Sequence, residues 1–350
     1  MKQLYLFFFA ALLSADLSAH PSYGIVITEN NEIIFCDVLH NEGTIWKLDQ
    51  TGELREILTG LHSHFLFLDR QGHIWGTDHD YIAARETNRN TLWRLVDGQQ
   101  ETIIPPTEDP SVFSGVNFVA APDGTIYFDT GGQLYVRSTE GATRLLSDHK
   151  FGRIMSLQLT PDGQLLVVDN YADNGSLIQV SPRGELTIIA TCLLEDSPAD
   201  PPFEEARFNM LYAAFAGTDG EVFVANSGSR RISRVAADGA ITHIYHSEKP
   251  WYPVAYTEKD GIGYVMEMCY LPGIGNLGPQ IIRLENGAAT VLVNVDADKM
   301  PEIAPLDPDK NEGERAVPSN WFWYGLGVVM LFILLGWWFS RRRNNAMMAD

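Results

Sequence analysis

Two histidines one residue apart, His62 and His64, are the sharpest chemical feature of this 350-residue chain. Side chains alternate along a strand, so an H-x-H pair turns both imidazoles to one face. Imidazole is a common metal ligand. Asp78 and Asn117 are the oxygen donors that would join the pair, making His62, His64, Asp78 and Asn117 a candidate site for a divalent ion, calcium or zinc. Two ligands alone do not make a metal site, and nothing in the sequence demands a cofactor. A second constellation surrounds the same pair: Arg153, with Tyr23, Tyr212 and Trp251. One guanidinium among aromatics and imidazoles suits an anionic or polar small ligand, or a protein or peptide terminus. The alternative is a rim of large side chains whose polar tips simply reach water.

What places these residues together is a six-fold echo. A turn, an apolar run and an acidic or amide residue recur as ENNEIIFCD (29–37), RQGHIWGTD (70–78), PDGTIYFDT (122–130), PDGQLLVVD (161–169), TDGEVFVAN (218–226) and KDGIGYVME (259–267). Each copy has an apolar run before it and two short ones after it, which reads as four antiparallel strands. A four-stranded unit cannot bury both faces alone, so units of about forty residues stack radially as the blades of a propeller. The expected fold is an all-β, six-bladed β-propeller over residues 22–295.

The turn residues Asn31, Gly72, Gly124, Gly163, Gly220 and Gly261 give a common register. Tyr23, His64, Val116, Met155, Tyr212 and Pro253 lie eight positions before it, at the start of strand A of each unit. Asp37, Asp78, Asp169, Asn226 and Glu267 lie six positions after it, and Asp129 five, at the end of strand B. Because A and B run antiparallel, both sets meet at one rim of the channel. Insertions at 79–91, 103–113, 193–207 and 268–279 open on that rim, and loops gathered on one face of a repeat scaffold mark its binding surface. The ring of acidic ends has a plainer explanation, since Asp, Asn and Glu at a strand end accept hydrogen bonds from the following turn.

Two apolar segments fall outside the repeats. Residues 4–13 follow Lys2 and precede small residues, the pattern of a secretory signal peptide over 1–19. Residues 321–339 would make a helix about 28 Å long, close to the hydrocarbon thickness of a bilayer. Aromatics flank both ends and Arg341, Arg342 and Arg343 follow at once. That arrangement predicts one C-terminal transmembrane helix with residues 340–350 in the cytoplasm and the propeller outside it, periplasmic or extracellular. Residues 296–320, acidic and with four prolines, read as an extended stalk. The formal charge of −20 argues against nucleic acid, whose binding needs clustered Lys and Arg. In an oxidising compartment Cys36 and Cys269 would meet across neighbouring blades 1 and 6, where a disulfide would staple the seam; free thiols are the other reading, and Cys192 is left over.

The segment EARFNMLYAAFAGTDGEVFVANSGSRRISRVAADGAI (205–241) resembles an NHL repeat, with its A-R-F-N entry, DG turn, V-A-N strand end and closing DG. Blades 2 and 4 resemble the same superfamily more loosely. The resemblance implies a six-bladed propeller whose relatives include calcium-dependent gluconolactonases, other lactone or ester hydrolases, and pure binding domains. The lactonase calcium site does not carry over. Its blade-1 Glu is absent near Tyr23, and the positions corresponding to its amide and Asp read Met155-Ser156-Leu157 and Tyr212-Ala213, with Asn117 as the one match. Calcium takes six to eight oxygen ligands, so these departures matter. A membrane-anchored binding propeller is therefore the leading expectation, and a divergent metal-dependent hydrolase of lactones or esters is the alternative.

Overall fold

Apolar runs of three to six residues alternate with turns that force the chain back on itself. At the A-to-B turns the residue in the common register has positive φ: Asn31 (58°), Gly72 (82°), Gly124 (87°), Gly163 (82°), Gly220 (76°) and Gly261 (76°). Five of the six are glycine because a Cβ is unfavourable there, and the sixth is Asn, which tolerates the left-handed region. In the last repeat the pairing of Lys259 with Ile262 leaves Asp260-Gly261 as a two-residue hairpin loop, and both residues have positive φ.

The computed structural model describes residues 21–300, apart from 115, 200–207, 218–219 and 272–273. Among the described residues the strands form six sheets of four, each in simple sequential order. Blade 1 comprises Ile25–Ile27, Ile33–Asp37, Thr44–Leu48 and Leu54–Thr59, and blade 2 comprises Leu66–Leu68, Ile74–Ile82, Thr87–Val96 and Gln99–Thr107. Blade 3 is Phe118–Ala120, Ile126–Thr130, Gln133–Arg137 and Thr143–Leu145, and blade 4 is Ile154–Leu159, Leu165–Asp169, Ser176–Val180 and Leu186–Ala190. Blade 5 is Leu211–Ala216, Val222–Asn226, Arg231–Val235 and Ile241–His246; blade 6 is Trp251–Lys259, Ile262–Leu271, Gly275–Glu285 and Ala288–Asn294. The six-bladed all-β propeller is thus the observed architecture. The expected signal peptide (1–19), the transmembrane segment (321–339), the tail (340–350) and the stalk beyond residue 300 lie outside the described residues. Among the described residues no helix is long and apolar enough to cross a membrane.

Inter-blade packing follows the strand alternation. Val26, Ile34, Cys36 and Ile45 of blade 1 bury against Leu66, Ile74 and Trp93 of blade 2. Val119 and Leu134 of blade 3 meet Leu157 and Val167 of blade 4, and Phe223 and Ile232 of blade 5 meet Tyr256 and Val265 of blade 6. A larger cluster runs around the channel and draws strand A side chains such as Ile25, Phe118, Met155 and Val254 from around the ring.

Two expectations are corrected here. The insertions at 79–91 and 268–279 are not loops but extensions of strands B and C. His79 to Ile82 pair with Asn90 to Thr87, and Cys269 to Leu271 pair with Leu277 to Gly275. The Cys36–Cys269 disulfide is also not formed, and both residues are buried free thiols. Strand alternation turns the Cys36 side chain into the blade 1–blade 2 interface, where its Sγ sits 3.5 Å from the Gly24 carbonyl oxygen, away from blade 6. Burial pushes both thiols up to about 12, so neither is a reactive thiolate. The melting temperature is therefore expected to be the same with and without a reducing agent; a drop of several degrees under reduction would restore the staple.

Candidate ligand site at the channel mouth

The antiparallel A–B pairing brings the start of A beside the end of B in every blade, as the register requires. The contacts are His79 N–H to His62 O (3.1 Å), Asp129 N–H to Asn117 O (3.4 Å) and Asn170 N–H to Arg153 O (3.0 Å). At this rim Tyr23, His64, Val116, Asn117, Asp129, Arg153, Met155, Met210 and Tyr212, with Pro21 and Ile154, line a pocket of about 240 Å³. Four of the six expected ligand residues, Tyr23, His64, Arg153 and Tyr212, are on its wall. His62 and Trp251 are not. His62 stands beside His64, and Trp251 is buried in blade 6, where its carbonyl accepts a hydrogen bond from Arg230 Nη1 at 3.0 Å.

The ring of strand-end acids divides in two. Most are occupied within their own blades. Asp37 accepts from Leu39 N–H (2.8 Å) and Trp46 Nε1–H (3.1 Å), and Asp78 accepts from the His62 N–H (3.0 Å). Asp169 accepts from the N–H groups of Gly152 (2.7 Å), Arg153 (2.8 Å) and Tyr171 (3.0 Å). Asn226 accepts from Ser229 N–H at 3.0 Å, and Glu267 from the Tyr245 hydroxyl at 2.9 Å and Gln280 Nε2–H at 2.5 Å. Asp129 is the exception. Its side-chain partner among the described residues is the Asn117 amide, Nδ2–H to Oδ1 at 3.1 Å, and it opens onto the pocket.

Asn117 is held from both sides. The Tyr23 hydroxyl donates to its Oδ1 at 2.8 Å, and its Nδ2 also donates to the Ile154 carbonyl at 3.3 Å. Tyr23 and Asn117 are both buried, and the bond between them crosses from blade 1 to blade 3. The amide is thereby fixed as a donor toward Asp129. Burial pushes the Asp129 carboxyl up to about 7, against the opposing pull of the Asn117 amide. A carboxyl in a pocket that titrates near neutrality is uncommon and marks functional sites.

Arg153 is the complement. Its Nη1 lies 3.4 Å from the Tyr171 hydroxyl, and its guanidinium stands 6.0 Å from the centre of that ring. No carboxylate among the described residues pairs with it. A guanidinium of this kind on a pocket wall has the chemistry to pair with an anion.

The expected metal ligands do not assemble. His62 Nε2 and His64 Nε2 are 2.9 Å apart, with the rings edge-on. His64 Nδ1 is 3.3 Å from the Pro21 carbonyl, which favours a proton on Nδ1 and makes Nε2 the acceptor for His62 Nε2–H. The facing nitrogens therefore already share a proton. Asp78 Oδ1 accepts from the His62 backbone N–H and the Asn117 oxygen from the Tyr23 hydroxyl. No group of three or more His, Cys, Asp or Glu suited to a metal ion occurs among the described residues. This donor set does not fit calcium, which needs an oxygen cage, and offers zinc only two nitrogens.

The sequence register located the pocket wall but not Asp129, which reads as one of the turn-capping strand ends although it stands five residues after its turn residue where the others stand six. The one available signal was its pairing with Asn117, the amide unique to blade 3.

Six blades around a channel with a polar pocket at one mouth define the class: a six-bladed β-propeller with the fold of the gluconolactonase-like proteins. Among solved structures, a streptogramin B lyase is similar at 19% identity, over 79% of this chain and 84% of that one, with a TM-score of 0.50. A putative gluconolactonase is similar at 18% identity over 70% and 85% of the two chains, TM-score 0.51. A gluconolactonase of Xanthomonas campestris is similar at 13% identity over 71% and 83%, TM-score 0.51. At these identities the likeness is one of fold. No protein-family profile matches the sequence. No curated protein matches it either.

Proposed function

We propose that this is a membrane-anchored, extracytoplasmic β-propeller that binds a small anionic or polar ligand, or a peptide terminus, in the pocket at its channel mouth. The observation that carries the reading is Arg153, a pocket-wall guanidinium without a carboxylate partner, set across from the Tyr23–Asn117–Asp129 chain. Arg153 offers bidentate donors to an anion, and Asp129 offers an acceptor for a hydroxyl or amine on the same molecule. Tyr212 and Met155 supply apolar contact between them. Anchoring rests on residues 321–339 and extracytoplasmic placement on residues 1–19 and the arginines after the span.

The test is calorimetric titration of the full-length protein in detergent with a panel of small carboxylates, phosphates and short peptides. Arg153→Ala is expected to weaken any hit by about ten- to a hundredfold, the worth of a charge-assisted hydrogen bond. Full affinity in that variant would move the site elsewhere. The alternative, metal-dependent hydrolysis of a lactone or ester, is less well supported because no group of three or more His, Cys, Asp or Glu suited to a metal ion occurs among the described residues. It requires lactone or ester turnover that disappears on chelation.

A further inference from the structure

Among the described residues every blade is contiguous in sequence, and no strand from elsewhere in the chain joins blade 6. Apolar packing of the two A strands joins blade 6 to blade 1, and polar contacts add to it on both rims. On the A-to-B turn side Lys259 does so, its Nζ donating to the Thr28 and Glu29 carbonyls at 2.9 and 2.8 Å. On the opposite rim the joint is His40. Its Nδ1 lies 2.5 Å from Asp37 Oδ2 in blade 1, and its Nε2 lies 3.0 Å from Asp296 Oδ1, in the chain that has just left blade 6. Asp37 and Asp296 are buried, while His40 keeps 20% of its side chain exposed.

We propose that His40 is a proton-controlled latch, which as an imidazolium closes the propeller ring and fastens the departing segment 294–299 to blade 1. The geometry favours the doubly protonated ring. Both ring nitrogens face carboxylate oxygens, and a neutral imidazole has only one N–H, so one nitrogen lone pair would confront an anion.

The surroundings form a closed set. Trp46 Nε1–H and Leu39 N–H donate to Asp37, and Gly278 N–H donates to Asp296 at 2.9 Å. Lys299 Nζ is 2.6 Å from Asp296 Oδ1 and 3.4 Å from His40 Nε2, and Asp298 bears on Lys299. Asp37, Asp296, His40 and Lys299 thus alternate in charge when His40 is protonated. Loss of that proton leaves the buried Asp37 carboxylate facing an imidazole that can satisfy only one of its two acids. The hydrogen bond to Asp37 is the main cause of the raised His40 pKa, partly opposed by burial. A histidine whose pKa rises on folding stabilises fully below its ordinary value of about 6.5. That contribution is lost as pH climbs through the raised value, so the latch is shut in acid and opens as pH rises past it.

The experiment is amide hydrogen exchange on the full-length protein from pH 6 to pH 8.5, read at residues 294–299 and corrected for intrinsic rates. Exchange there is expected to accelerate at least about tenfold across that range, the scale of one charge-assisted hydrogen bond. In His40→Gln it should be fast and insensitive to pH. Asp296→Asn provides a second reading: by histidine NMR with specific labelling, the His40 resonance should titrate at lower pH than in the parent protein. Exchange at 294–299 that is flat with pH in the parent, or a His40 titration unchanged by Asp296→Asn, would overturn the latch. Ligand affinity at the channel-mouth pocket does not enter either readout.

Discussion

Asp129→Asn is expected to stabilise the protein at pH 8.5 and to do so by a smaller margin at pH 5. The carboxyl is pushed up to about 7 by burial, so between its unfolded value near 3.8 and about 7 the native state holds a proton that the unfolded chain has lost. Stability must fall as pH rises across that window. Above it the native protein carries an ionised carboxylate with one amide partner, at a cost on the order of 2–4 kcal/mol, reduced where the carboxyl is open to the pocket. An asparagine keeps the acceptor for Asn117 Nδ2–H without the charge. Urea denaturation of both proteins at the two pH values measures the difference; a gap that does not widen with pH would show that Asp129 is well solvated. The same substitution should remove the change in ligand affinity through neutral pH. A group that costs stability and faces a pocket is the signature of a functional residue, because selection for stability alone would discard it.

The second large effect is at Gly76. It pairs across the ladder with Trp93, which is fully buried between blades 1 and 2. A Cβ built on Gly76 would lie 2.1 Å from Trp93 Cζ2, inside the ring's van der Waals surface. Gly76→Ala must therefore displace the indole from the inter-blade core, at about 3 kcal/mol or more, the upper range for overpacking. Removing the ring by Trp93→Ala costs about 3–5 kcal/mol on its own. The discriminating protein is Gly76→Ala combined with Trp93→Leu, in which the clash is gone. Its destabilisation should be well below the sum of the two single changes, and additive values in guanidinium denaturation would show that the backbone, not the indole, resists the side chain.

Blade count, strand order and the rim at which A begins and B ends are local consequences of the sequence. Asn31 and five glycines tolerate positive φ at one register, and apolar alternation selects the buried face of each strand. Those two facts already placed Tyr23, His64, Met155 and Tyr212 on one wall. They also gave the strand-end acids their turn-capping role, which holds at Asp37, Asp169 and Asn226. The same local logic misread residues 79–91 and 268–279 as loops, because extended hairpins and loops share a polar, weakly periodic composition. It also paired Cys36 with Cys269 from blade adjacency alone, although alternation points Cys36 toward blade 2.

The sequence by itself determined the repeat, the blades and the ring of residues at the channel mouth, because turn chemistry and two-residue alternation act within a few positions of the chain. Only the tertiary structure decided which member of that ring opens onto the pocket and what meets across the seam of the ring. Asp129 is open to the pocket because Tyr23, 94 residues from Asn117, fixes the amide beside it. His40 is poised as an imidazolium because Asp296, 256 residues away, returns to its second nitrogen. Satisfaction of a buried polar group depends on whatever the closed ring brings against it, and no local pattern records that neighbour.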